Sequence, residues 1–93
     1  MAIKLEVIQY LNKAGLEIYS SWFSRLELVL SAQEGFLKIE TSLNLDAALA
    51  TITLLFETPQ RLTQWAQSEE HDALYNEICA YHTKTPDSTK SMI

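Results

Sequence analysis

The sequence predicts an α+β domain in which helices cover one face of an antiparallel sheet, and three observations predict it. Apolar and polar residues alternate at 2–11, 36–43 and 48–57, the period of strands half-buried against a core. Apolar residues three and four apart mark an amphipathic helix between the first two of these stretches and a second helical region after Pro59. Glycine, proline and hydroxyl residues fall at the junctions, where turns and helix caps need them. At 93 residues the chain has room for one core, and a hydrophobic fraction of 47% is enough to fill it.

In the first strand Ile3, Leu5 and Val7 alternate with Lys4 and Glu6, and Ile8 and Tyr10 add apolar groups to the opposite side. Asn12-Lys13-Ala14-Gly15 reads as a break. The helix that follows runs to about Ala32, with Leu16, Tyr19, Phe23, Leu26 and Leu30 on its apolar stripe and Trp22 and Val29 widening it. Gly35 stands just past that end, where a left-handed residue costs no Cβ clash. The strands at 36–43 and 48–57, joined by Asn44-Leu45-Asp46, make a hairpin. Thr58-Pro59 opens the next helix, since a threonine hydroxyl accepts from a free backbone N–H and proline at the first helical position loses no needed donor. Leu62, Trp65 and Ala66 lie on it. Ser68-Glu69-Glu70 is a second cap, so the helix restarts or kinks there, and Leu74, Ile78 and Tyr81 continue at helical spacing.

Strand, helix, strand, strand, helix is the order of a ferredoxin-like β-α-β-β-α-β domain with its final strand short or missing. The domain is assigned to residues 1–82. Residues 83–93 form a weakly patterned tail: a short edge strand, an arm reaching to a partner, or neither. On the 48–57 strand Ile52, Leu54 and Phe56 point one way and Thr51, Thr53 and Leu55 the other, so both sheet faces carry apolar groups. With helices on one face only, the other is expected to be hidden against a second copy, making the chain a homodimer.

Composition excludes several function classes. Twelve acidic against seven basic residues leave a formal charge of −5, and the cations are scattered, so no nucleic-acid partner is expected. The longest apolar runs, such as Leu54-Leu55-Phe56, are far short of the roughly 20 residues that cross a bilayer. Met1-Ala2-Ile3-Lys4-Leu5-Glu6 is unlike a secretory signal, which points to the cytoplasm. The lone Cys79 reads as a small buried apolar residue in a reducing compartment.

Two residues stand out chemically. Trp65 has two readings, a core ring packed with Leu62 or a stacking surface for an aromatic ligand. His71 is either a surface or capping residue beside Glu69 and Glu70 or a base, histidine being the side chain that titrates nearest neutrality. Glu69-Glu70-His71-Asp72 points around a helix and cannot converge on one ion, and His71 and His82, read as one helix, are three turns or roughly 16 Å apart, so no metal site is expected. No Gly-rich loop cradles a phosphate and the serines near His71 sit at a cap, so any chemistry here is cofactor-free.

The run from Phe56 through Thr58-Pro59 to Trp65-x-x-Ser68-x-x-His71 resembles the antibiotic biosynthesis monooxygenase domain family of dimeric α/β barrels. Trp22 in the first helix and the Glu34-Gly35-Phe36 turn resemble it too, so the likeness covers about residues 1–80. It implies a dimeric α/β barrel and cofactor-independent oxygenation of a small phenol- or quinol-like aromatic. In that reading Trp65 and His71 are catalytic, and Trp22, Phe56 and Tyr75 line the substrate pocket. Haem is not implied, because the haem-degrading relatives carry a histidine ten residues after the tryptophan, where this chain has Tyr75. Active oxygenases of the family often place an asparagine just before the tryptophan, and here Arg61, Leu62, Thr63 and Gln64 stand instead. The alternative is a non-catalytic dimer of the same fold that binds a small ligand or a partner.

Overall fold

The computed structural model describes residues 1–93. Its elements are β1 (Ile3–Leu11), α1 (Lys13–Ser31), β2 (Phe36–Asn44), β3 (Leu49–Phe56), α2 (Pro59–Ala66), α3 (Glu69–Cys79) and β4 (His82–Met92). The strands pair antiparallel in one sheet of order β2-β3-β1-β4. This is the ferredoxin-like α+β fold, with its second helix divided in two.

The division follows from the caps. The Thr58 hydroxyl accepts from the Arg61 N–H at 3.2 Å and starts α2, and the Ser68 hydroxyl accepts from the His71 N–H at 3.2 Å and starts α3. The region restarts as a separate helix rather than kinking. Glu69, Glu70 and Asp72 occupy the first turn of α3, where the helix dipole favours negative charge.

Burial along β3 follows the alternation: Ala50, Ile52, Leu54 and Phe56 are buried, and the residues between them are not. Facing them, Tyr19, Trp22, Leu26 and Leu30 of α1, Leu62 and Trp65 of α2, and Leu74 and Ile78 of α3 complete the core. No helix is long and apolar enough to cross a membrane.

Four expectations are corrected. The stretch 12–15 is not a break: Asn12 caps α1 by accepting from the Gly15 N–H at 2.8 Å, and Gly15 lies in the first turn. A Cβ on Gly15 would come within 2.8 Å of the Tyr81 Cβ, so the glycine permits close packing there instead of marking a break before the helix. The final strand is neither short nor missing. β4 has 11 residues and pairs with β1 from Ile3↔Met92 to Leu11↔His82, and α3 stops at Cys79, so His82 begins a strand and does not share a helix with His71. The pairing shifts between Ile8↔Asp87 and Tyr10↔Lys84, leaving Thr85 and Pro86 opposite Gln9 alone, and this bulge on an edge strand is a place that tolerates proline.

The helix-free face is also more polar than expected. Ile8, Tyr10 and Leu55 are half-buried there, but Leu55 stands between Lys4 of β1 and Lys38 of β2, and Glu6 and Glu40 flank Thr53. Lys38 pairs with Glu40 at 2.6 Å, and Tyr10 donates to Asp87 at 2.6 Å with the Lys84 ammonium over its ring. Finally, Cys79 is half-buried, not buried.

Candidate functional site

Between the helices and the sheet lies a cavity of about 480 Å³, within the range of small-ligand sites. Leu5 and Val7 of β1 and Ile52 and Leu54 of β3 form its floor, because these are the inward positions of two central strands. Trp22 and Leu26 of α1, Leu62 and Trp65 of α2, and Leu74 and Ile78 of α3 form its walls. The inner side of β4, at Ser88 and Lys90, is exposed and forms the open flank.

Trp22 is 4% exposed and donates its indole N–H to the Leu74 carbonyl at 2.8 Å, which ties α1 to α3 and holds the ring against the cavity. Trp65, also 4% exposed, sits in the last turn of α2. The Ser68 hydroxyl donates to the Trp65 carbonyl at 2.7 Å while accepting from the His71 N–H, so one serine fixes the end of the first helix to the start of the next. That junction brings the His71 imidazole edge-on to Trp65, with centroids 5.5 Å apart and planes at 90°. One turn later Tyr75 stacks on His71 at 6.3 Å with planes 9° apart, and the Tyr75 ring lies 5.9 Å from that of His82. His82 ends this row at Gln9, with Nε2 2.9 Å from the amide oxygen. The Gln9 amide oxygen only accepts, so His82 Nε2–H is the donor; burial holds the His82 pKa below its ordinary value.

Of the residues singled out in the sequence, Trp22, Trp65, His71 and Tyr75 therefore line one cavity. Phe56 does not. It is 1% exposed and packs edge-on against Phe36 at 5.9 Å, at the end of β3 away from the cavity, so its place is in the core. Sequence reasoning missed Gln9 and Lys90. Gln9 was detectable, since a polar residue in the inward phase of Ile3, Leu5, Val7 and Leu11 is out of place unless something uses it. Lys90 was not, because its position depends on a strand that carries no apolar pattern.

Chemically, the cavity offers flat apolar surfaces for a ring and one imidazole at its mouth. His71 is 35% exposed at its side chain, and its Nδ1 lies 3.3 Å from an Asp72 carboxylate oxygen. No group of three or more His, Cys, Asp or Glu side chains converges to form a metal site.

No family model matches the sequence, and no curated protein matches it. Solved structures match over nearly the whole chain. An antibiotic biosynthesis monooxygenase is 10% identical with a TM-score of 0.86, over 98% of this chain and 97% of that one. SnoaB from Streptomyces nogalater, a cofactor-independent oxygenase, is 12% identical with a TM-score of 0.84, over 99% and 92%. A dimeric protein of unknown function and ferredoxin-like fold from Bacteroides fragilis is 16% identical with a TM-score of 0.85, over 99% and 96%. At such identities the likeness is one of shape, and the chain shares with these structures the ferredoxin-like fold of the Bacteroides fragilis protein.

Proposed function

We propose that the chain is a cofactor-independent monooxygenase that holds a small phenol- or quinol-like aromatic in the cavity beneath Trp65, and that it works as a homodimer. The observation that carries this reading is the imidazole of His71, packed edge-on to Trp65 at the mouth of a largely apolar cavity. The shape shared with SnoaB and the other monooxygenase supports it, and the dimeric relative from Bacteroides fragilis supports the assembly.

His71 would accept the phenolic proton, and the apolar walls would raise the energy of the resulting anion relative to water. The phenolate gives one electron to O₂, the aromatic radical and superoxide combine through a new C–O bond, and the hydroperoxide eliminates water. One oxygen atom remains on the ring as a carbonyl and the other leaves in water. Both electrons needed to reduce that second atom come from the substrate's own C–H and O–H bonds, so no external reductant enters.

An oxygen electrode with a panel of quinols and anthrones tests the proposal. O₂ uptake is expected with at least one compound, falling by about 10²-fold or more in His71→Ala, the size of a lost general base. Silence across the panel, or uptake unchanged in His71→Ala, rejects the oxygenase. The second reading, a non-catalytic binder, is favoured by the exposure of His71 and its engagement with Asp72. It predicts ligand binding in the cavity with no O₂ uptake at all.

A further inference from the structure

We infer that the ligand is an aromatic carboxylate and that Lys90 selects it. The inference rests on the cavity being an aromatic-binding site, and it adds the charge of the ligand and the residue that reads it.

Acidic residues outnumber basic ones by 12 to 7 in this chain, yet no Asp or Glu lines the cavity. Its one permanently charged group is Lys90. Register explains how the lysine comes to be there. Lys90 pairs with Leu5, a floor residue, and Ser88 pairs with Val7, the next floor residue along, so both side chains rise on the helix side of the sheet. β4 is an edge strand, so this flank stays open and the ammonium borders an apolar floor without being sealed beneath it.

Four of the other six cations are engaged, whereas Lys90, like Lys4 and Lys13, has no ion pair. Arg25 pairs with Glu77, Lys38 with Glu40 and Arg61 with Glu34, and Lys84 lies over the Tyr10 ring. Lys90 makes none of these contacts. A ring held in the cavity lined by Trp22 and Trp65 would leave a carboxylate at the open flank, where the ammonium and the Ser88 hydroxyl can both donate to it. Charge-assisted bonds of this kind strengthen beside apolar surface, where water screens them less. The competing explanation is that an inward-pointing lysine on an edge strand only guards against edge-to-edge pairing.

Calorimetric titration of the full chain at pH 7 with 1-hydroxy-2-naphthoate and with 1-naphthol separates these. The carboxylate should bind about tenfold more tightly than the neutral naphthol. Lys90→Gln should erase that preference and leave naphthol affinity unchanged, and Lys90→Glu should reverse it. As Lys90 is exposed, both variants should keep the far-ultraviolet dichroism of the parent. Naphthol binding without a carboxylate preference, or a preference that survives Lys90→Gln, overturns the role of Lys90 and leaves the aromatic site standing. If neither compound binds, the aromatic site falls and the inference falls with it.

Discussion

Gln9 is the one buried polar residue of the chain, at 4% exposure, and it is satisfied by His82 across the bulge of the edge strand. Because burial lowers the His82 pKa, the unfolded chain takes up a proton near the ordinary value of about 6.5 while the folded chain still resists it. The stability that depends on a neutral His82 is therefore complete above that pH and is lost as the pH falls through the folded value. Thermal melts between pH 7.5 and 5 should show Tm dropping on acidification, and His82→Gln, which keeps a side-chain amide opposite Gln9, should flatten part of that slope. An unchanged slope in the variant would place the responsible proton elsewhere. A second residue-scale feature is Ala48, held at φ 55° in the hairpin turn, a conformation that glycine or asparagine adopts at lower cost.

At the scale of elements, the site depends on where α2 stops. Ser68 ends it and starts α3, and the same hydroxyl contacts the backbone of both Trp65 and His71. Ser68→Ala should lower stability by about 1 kcal/mol in urea denaturation, the usual size of a lost N-cap; a variant as stable as the parent would mean that water caps α3 equally well. Both this cap and Thr58 were readable because they are local rules acting within three residues. Helical spacing put Trp22 and Trp65 on inward faces, while the roles of His71 and Tyr75 came from the family resemblance alone. What failed was non-local. Gly15 looked like punctuation until the packing of Tyr81 against it was known. β4 looked like a tail because its outer edge and much of its inner side meet solvent, so no apolar alternation is selected, and Pro86 reads as a turn unless the bulge is visible. Phe56 belonged to the inward phase of β3 as read, but its distance along the strand from the cavity depends on where the helices cross the sheet.

For the whole molecule, the helix-free face changes what a charge there would do. The face mixes Ile8, Tyr10 and Leu55 with six charged residues, and position 55 lies between two lysines. A glutamate at 55 in the separate chain would meet opposite charges on both neighbouring strands, a favourable cross-strand arrangement. If the proposed dimer buries this face, Leu55→Glu should yield a folded monomer in sedimentation analysis, with the dichroism of the parent, because the buried charge opposes association more than it opposes folding. A Leu55→Glu chain that remains dimeric would show that the subunits meet elsewhere.

β1 holds the centre of the sheet between β3 and β4, and its pairing with β4 joins residues nearly the whole chain apart. During synthesis, then, β1 emerges first and must wait, one edge unpaired, until β4 follows all the other elements. Contacts so distant in sequence make closure of the sheet a slow step in folding. Lys90 arrives with that strand, so the cavity acquires its open flank and its positive charge in the same event that covers the exposed edge of β1. A nascent chain has no complete cavity before then, and a chain caught at that stage presents to its neighbours a bare strand edge instead of a pocket.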